Sequence, residues 1–150
     1  MGTKYKGSKK DEKLLDAYIR FSRAATSIEN QLSRYLIENG LTFSQFSVLE
    51  VLLHLGPMNQ KDVAEKIFSS NSNLVTVIDN LENAGMVRRE RSAKDRRNFI
   101  VHLTSKGEKL INELFPKHLK LISERFDVLN DKELETLGRL SKKIGLNVDE

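Results

Sequence analysis

Hydrophobic residues recur at helical spacing through most of the chain and alternate with polar residues only near its middle. The apolar residues between positions 11 and 39 fall on one face, which predicts a long amphipathic helix. A second helix is predicted after Gly40, opened by a capping box at Thr42 and Gln45 and ended by Gly56. The first helix would be about 43 Å long, more than the core of a small domain covers. Part of its apolar stripe should therefore contact a partner, such as another chain.

Two short helices joined by a polar turn are predicted in the middle of the chain. The first spans Gln60–Phe68 and the second Ser72–Ala84, and Ser69–Asn71 form the turn between them. Gly85 follows where a left-handed C-terminal cap is needed. The residues that recur on the buried face of the second helix are Leu74, Val77, Ile78 and Leu81. Two helices in this arrangement are typical of a helix-turn-helix.

A basic ribbon is predicted directly after these helices. Val87–Arg91 and Phe99–Leu103 have the alternating pattern of short strands, and residues 92–97 form a polar loop between them. The ten residues from Arg88 to Arg97 include six Arg or Lys and two acids. Clustered cations on a ribbon beside a helix-turn-helix favour contact with a phosphate backbone. The sequence therefore predicts a winged helix that binds DNA.

The remaining segments are predicted to be helical. A capping box at Ser105 and Glu108 opens a helix that Pro116 should kink, and a box at Asn130 and Glu133 opens the last helix. The predicted fold class is mainly α with a small β wing. Residues 41–104 would form the winged helix-turn-helix, residues 11–39 and 105–150 a separate helical part, and residues 1–10 a flexible basic tail. A solvated tail is the simpler interpretation, and contact with DNA or a partner is the alternative.

Composition narrows the possible functions. The 150 residues are enough for one domain, and no apolar run approaches the ~18 residues of a membrane span, so a cytoplasmic protein is expected. The absence of cysteine excludes disulfides and thiolate metal sites. His54, His102 and His118 share no ligand spacing, and no nucleophile or phosphate-loop motif is present. Neither a metal, a cofactor nor an enzymatic activity is expected.

The exposed face predicted for the second short helix is polar but uncharged. Ser72, Asn73, Thr76 and Asn80 lie on it, with Val75 at its margin. Asn pairs with adenine and the Thr methyl contacts that of thymine, whereas guanine is usually read by Arg or Lys. The helix should therefore prefer A·T pairs. Ser72 and Asn73 could instead serve only as N-caps.

The wing should contribute backbone and minor-groove contacts. Arg96 or Arg97 is the candidate for insertion into a narrow minor groove, and Asp95 should hold the wing by accepting a hydrogen bond from a nearby Arg. The predicted DNA contacts are Ser70, Asn71, Ser72, Asn73, Thr76, Asn80, Arg89, Arg91, Lys94, Arg96 and Arg97. Two alternatives are that the Arg run is a solvated turn, or that the wing docks onto an acidic protein without binding specific DNA.

Five motifs follow one another along the chain. They are Leu41-Thr42-x-x-Gln45-Phe46-x-x-Leu49, Val63-Ala64-Glu65-Lys66-Ile67, Val77-Ile78-Asp79-Asn80-Leu81-Glu82-x-x-Gly85-Met86-Val87-x-Arg89, Asp95-Arg96-Arg97 and Leu103-Thr104-x-Lys106-Gly107. In this order the chain resembles the MarR family of bacterial transcription regulators over nearly its whole length. The segment 113–118 also resembles a branch of the family that often responds to phenolic or quinone-like compounds.

The resemblance implies a homodimer that binds a pseudo-palindromic operator as a repressor and is released by a small ligand. Residues 11–39 and 105–150 would then form the dimerisation domain. Two-fold symmetry would place the half-sites about 10 bp apart. The family often has Arg at the position of Thr76, so this chain departs from it there.

The resemblance also implies a ligand cleft where the first, second and fifth helices meet. The aromatic and polar residues expected to line the cleft are Tyr18, Phe21, Phe46, His54, Phe115 and His118. Each of these could equally be an ordinary core residue.

Overall fold

The structure is a computed structural model that describes residues 4–67 and 71–145, with only the backbone at positions 71 and 72. Six helices and three strands occur in the described residues. They are α1 (Lys9–Glu38), α2 (Phe43–Leu55), β1 (Met58–Asn59), α3 (Gln60–Lys66), α4 (Asn71–Asn83), β2 (Val87–Arg91), β3 (Phe99–Leu103), α5 (Ser105–Phe126) and α6 (Asp131–Gly145). The predicted fold class, mainly α with a small β wing, is confirmed.

The sheet is antiparallel with the order β1-β3-β2. Strands β2 and β3 have the predicted bounds, and their register pairs Val87 with Leu103 and Arg91 with Phe99. Strand β1 was not predicted, because two residues are too few to show an alternating pattern. It pairs Met58 with Val101 and thereby fixes the start of α3 beside the wing.

Two helix starts are stabilised by the predicted capping boxes. Thr42 and Gln45 form a reciprocal capping box at α2, and Asn130 and Glu133 form another at α6. The box predicted at Ser105 is wrong. Thr104 is the N-cap of α5 instead, since its hydroxyl accepts a hydrogen bond from the backbone N–H of Gly107 at 3.1 Å.

Several boundaries differ from the prediction. Helix α1 begins at Lys9, because the Ser8 hydroxyl caps it by accepting from the N–H of Asp11 at 3.1 Å. Lys9 and Lys10, which were predicted to belong to the flexible tail of residues 1–10, are therefore helical. Helix α3 ends at Lys66 and α4 starts at Asn71, which was predicted to lie in the turn. Phe68, the predicted end of the first short helix, and the turn residues Ser69 and Ser70 lie outside the described residues. Helix α5 is a single helix across Pro116.

The core lies within the winged helix and extends onto the facing sides of α1 and α5. Its fully buried side chains include Leu36, Phe46, Leu49, Val63, Leu74, Ile78, Leu81, Val87, Val101 and Ile111. Helix α4 contributes the predicted stripe, with Val77 only half-buried. This packing fixes which face of α4 points outward.

The terminal helices bury few of their apolar side chains within one chain. Helix α1 buries only Leu32 and Leu36, and no described residue of α6 is buried. The apolar residues that remain exposed on these two helices include Leu14, Tyr18, Phe21, Leu134, Leu140 and Ile144. The predicted surplus of apolar surface is therefore present. Among the described helices, none has the length and apolarity needed to cross a membrane.

Candidate nucleic-acid interface

Helix α4 presents the polar face that was predicted for it. Asn73, Thr76 and Asn80 are exposed, and Val75 lies beside them with 38% of its surface accessible. Leu74 and Ile78 are fully buried on the opposite side. Because these two anchor the helix in the core, its uncharged outer face has a fixed orientation. Ser70 lies outside the described residues, as do the side chains of Asn71 and Ser72.

The C-terminal end of α4 is bonded to the start of α5. Lys106 Nζ donates to the carbonyl oxygen of Ala84 at 2.9 Å. The Thr104 hydroxyl donates to the carbonyl of Gly85 at 2.6 Å, and the Thr104 N–H donates to that of Met86 at 3.1 Å. Gly85 has φ +74°, the left-handed cap predicted there. These bonds satisfy carbonyls that a helix end leaves unpaired.

Gly107 lets the two helices approach this closely. A Cβ at this position would lie 2.0 Å from the carbonyl oxygen of Met86. Thr104, Lys106 and Gly107 are recognisable in the sequence as a motif, but their contacts are not. A Thr-x-Lys-Gly motif carries no evident periodicity, so only the fold reveals that it joins α5 to α4.

Arg89 is held inside the protein by two carboxylates of α4. Its guanidinium is bonded to Asp79 Oδ1 and lies 3.2 Å from Glu82 Oε1, and its backbone N–H donates to Glu82 Oε2 at 2.9 Å. Burial disfavours its charge, but the hydrogen bonds and charges of Asp79 and Glu82 outweigh this and raise the pKa of Arg89 above its ordinary value. The Nη2 group and the backbone N–H of Arg89 thus fix β2 against α4, a structural role that was not predicted, while the predicted contact of Arg89 with DNA stays a prediction.

Asp95 organises the turn of the wing. Its Oδ1 accepts from the backbone N–H of Arg97 at 3.0 Å and its Oδ2 from Asn98 Nδ2 at 3.3 Å. The backbone N–H of Asn98 also donates to the Asp95 carbonyl at 3.0 Å. Asp95 therefore holds the wing as predicted, although its partners are a backbone amide and Asn98 rather than a guanidinium.

Three cations of the wing remain available. Lys94, Arg96 and Arg97 are exposed, and within residues 4–67 and 71–145 none of them forms a salt bridge. Arg91 lies over the ring of Phe99, 5.6 Å from its centroid, which orients its guanidinium. The wing thus carries unpaired positive charge at its tip.

At the base of the wing, the carboxylate of Glu90 contacts two basic side chains. Glu90 Oε2 lies 3.2 Å from Arg88 Nη1 and 3.1 Å from His102 Nε2. Arg88 and Glu90 are two residues apart on one strand, and His102 pairs with Arg88 across the ladder, so all three side chains share a face. This cluster could have been inferred once the register was known.

Four of the six residues predicted for a ligand cleft come together where α2 meets α5. The rings of Phe46 and His118 are 4.3 Å apart, those of His54 and Phe115 are 5.0 Å apart, and those of Phe115 and His118 are 6.5 Å apart. Phe46 is buried and His54 is exposed, so the cluster runs from the core to the surface.

His118 is the unusual member of this cluster. Only 4% of its surface is accessible, and its Nδ1 has no hydrogen-bond partner among the described residues. Burial lowers the pKa of the His118 imidazole, which favours the neutral ring. A buried polar atom without a partner is uncommon in folded proteins.

Tyr18 and Phe21 do not belong to this cluster, which corrects that part of the prediction. Helices α1 and α5 run antiparallel, with Tyr35 Oη donating to the carbonyl of Leu114 at 3.1 Å. Tyr18 precedes Tyr35 by 17 residues, which corresponds to about 26 Å along the helix. Tyr18 is 63% exposed, and Phe21 lines a different groove between α1, α5 and α6.

Comparisons with known proteins agree with this geometry. The model of the MarR family matches residues 41–99. The HTH-type transcriptional regulator MhqR of Bacillus subtilis (strain 168) is 35% identical over 136 residues, which cover 91% of this chain and 94% of MhqR. The chain belongs to the MarR family. It is a DNA-binding transcriptional regulator with a winged helix-turn-helix.

Solved structures show the same fold. The MarR family regulator Sco3205 of Streptomyces coelicolor, solved in complex with DNA, has a TM-score of 0.86 at 23% identity, covering 99% of this chain and 94% of Sco3205. BpsR of Bordetella bronchiseptica, whose DNA binding is regulated by 6-hydroxynicotinic acid, has a TM-score of 0.77 at 24% identity. The matched parts are 86% of this chain and 98% of BpsR.

Proposed function

We propose that this MarR regulator is a cytoplasmic, non-enzymatic homodimeric repressor that binds a pseudo-palindromic operator and is released by a small aromatic ligand. The observation that carries the proposal is the placement of α4, whose outer face is uncharged, next to a wing with three cations that form no salt bridge with any described residue. Helix α4 would read base edges in the major groove. The wing would bind phosphates and the neighbouring minor groove.

The uncharged face of α4 supports a preference for A·T pairs. Asn80 offers the amide that pairs bidentately with adenine, and Thr76 offers a methyl group for thymine. Asn73 is exposed near the start of the helix, where a base contact and an N-cap remain alternatives. No Arg or Lys stands on the described part of this helix to favour guanine.

The unpaired apolar surface of the terminal helices supports the dimer. An apolar groove of about 330 Å³ lies between α1, α5 and α6, and its lining includes Phe21, Phe126, Leu134 and Leu137. A second copy of α6 and α1 would cover surface that one chain leaves exposed. Residues 11–39 and 105–150 would then act as the dimerisation domain, and two-fold symmetry would place the two copies of α4 about 34 Å apart.

The cluster around His118 supports a ligand site. An aromatic ring inserted beside Phe46 and Phe115 would stack on existing rings, and a hydroxyl or carbonyl oxygen on it would satisfy His118 Nδ1. Phenolic and quinone-like compounds carry both features. BpsR, a neighbour in fold, responds to a hydroxylated aromatic acid. Tyr18 and Phe21 are not part of the site proposed here.

Helix α5 connects this site to α4, the helix proposed to read the DNA. His118 and Phe115 lie on α5, and the first residues of the same helix hold the C-terminal carbonyls of α4. A ligand that shifts α5 would therefore shift α4 relative to the wing. Release follows if the shifted arrangement fits the operator less well than the free one.

The wing is tested by binding to random duplex DNA over a range of salt concentrations. Replacing Arg96 and Arg97 together by Ala should weaken binding and flatten the slope of log K against log salt by about 3.6, because the two wings of a dimer lose four phosphate contacts and each contributes about 0.9. The matched control replaces Lys109 and Lys117, two exposed lysines of α5, by Ala. If the wing instead docks an acidic protein, the parent will show no affinity for random duplex DNA.

A further inference from the structure

A small polar cleft lies between the start of α3 and the end of the wing turn, where β3 begins. Its volume is about 260 Å³. The side chains that line it come from two distant parts of the chain: Gln60, Lys61, Arg97, Asn98 and Phe99. Two of these residues are cationic and two carry amides, so the cleft is rich in hydrogen-bond donors.

The positive charge in the cleft is not neutralised by the protein. Among the described residues, neither Lys61 nor Arg97 forms a salt bridge. The acids next to them in sequence are occupied: Asp62 Oδ2 accepts from Asn59 Nδ2 at 2.7 Å, and Asp95 accepts from the N–H of Arg97 at 3.0 Å. Two like charges that share one cleft favour the binding of an anion.

The position of the cleft indicates which anion would bind there. Helix α3 is the first helix of the helix-turn-helix and packs against α4, while Arg97 ends the wing turn. Pairing of Asn59 with Ile100 brings the start of α3 next to the first residues of β3, directly after the wing turn. When α4 occupies a major groove and the wing the adjacent minor groove, a DNA strand must pass between them. A phosphate of that strand is the anion within reach.

We propose that Lys61 and Arg97 form a clasp for one phosphate of the DNA backbone in each half-site. The Lys61 ammonium and the Arg97 guanidinium would each donate to one of the two non-bridging oxygens. The proposal rests on the DNA-binding function and adds Lys61 to the residues that carry it. A lone Lys in the first turn of a short helix resembles any solvated lysine in the sequence, and only strand β1 brings it to the wing.

The first test compares Lys61→Gln with Lys117→Gln, which removes the same charge from an exposed site on α5. Affinity for random duplex DNA is measured from about 50 to about 200 mM salt. The clasp needs both cations to hold its phosphate, and a dimer has two half-sites, so Lys61→Gln removes two phosphate contacts of about 0.9 each. The slope should flatten by about 1.8, and over this range the parent should lose about 12-fold more affinity than Lys61→Gln. Lys117→Gln should keep the slope of the parent. A Lys61→Gln slope equal to that of the parent overturns the proposal.

The second test identifies the phosphate. Duplexes that carry a neutral methylphosphonate at one position at a time are bound by the parent, by Lys61→Gln and by Arg97→Ala. The clasp predicts one position per half-site at which the methylphosphonate weakens DNA binding by the parent. At that position the methylphosphonate should not weaken binding by Lys61→Gln or Arg97→Ala any further. If the two variants lose sensitivity at different positions, or at none, the clasp does not exist. A parent that binds no duplex at all would contradict the DNA-binding function itself and not only the clasp.

Discussion

Asp79 and Glu82 fix the position of the Arg89 guanidinium. Both carboxylates lie on α4 and contact Arg89 on β2, so the guanidinium joins the helix to the wing strand. Only 21% of the Arg89 side chain is accessible. Counting basic residues along the wing treats Arg89 like Arg96 and Arg97, which form no salt bridge with any described residue. The difference lies in the partners of each residue, which composition does not contain.

Replacing Arg89 by Met tests this structural role. The carboxylates are more than a third exposed, so solvent screens the pair and the loss should be only about 1 kcal/mol. That corresponds to a fall in Tm of about 2–4 °C. Operator affinity should also fall because α4 is less well fixed, while the slope of log K against log salt stays that of the parent. A flatter slope with an unchanged Tm would show that Arg89 contacts phosphate after all.

At the scale of elements, the predictable parts are those with a long periodic pattern or a local cap. Strands β2 and β3 and the caps at Thr42 and Asn130 follow from the sequence alone. Strand β1 does not, because two residues have no periodicity. Thr104 rather than Ser105 caps α5 because its hydroxyl also reaches the carbonyl of Gly85, a tertiary contact that no local rule includes.

The junction between α4 and α5 is tested by Gly107→Ala. The new Cβ would lie 2.0 Å from the Met86 carbonyl oxygen, and a backbone atom held in a strand connection cannot move aside freely. The cost should be about 2 kcal/mol, a shift in Tm of several degrees. Gly145→Ala is the control, since its Cβ would meet no atom within 4 Å. Equal Tm values for both variants would mean that the contact of α5 with α4 is not tight.

At the scale of the whole molecule, four of the six residues predicted for the ligand site come together and two do not. Phe46, His54, Phe115 and His118 meet because α2 packs on α5. Tyr18 and Phe21 were assigned to the same cleft, although they lie on the part of α1 that extends beyond this contact. The length of α1 was known from its sequence, but its direction relative to α5 was not, and that direction separates the two groups.

The apolar groove between α1, α5 and α6 predicts that the protein forms a dimer through these helices. Leu137 lines it, so Leu137→Glu would place a charge in the proposed dimer interface and should shift the sedimenting species towards the 17.2 kDa monomer. The control is Leu55→Glu, an exposed leucine at the end of α2 outside the groove. A Leu137→Glu variant that sediments as the parent does, with helical content unchanged, would place the interface elsewhere.

The most direct measurement is selection of bound sequences from a random DNA pool, carried out with the parent and with Thr76→Arg. We expect the parent to select two A·T-rich half-sites about 10 bp apart, each with a strongly preferred adenine, since one Asn–adenine pair discriminates by about 1–3 kcal/mol. Thr76→Arg should shift one position of each half-site towards guanine. A G·C-rich consensus that Thr76→Arg leaves unchanged would contradict the assignment of the outer face of α4 as the surface that reads DNA.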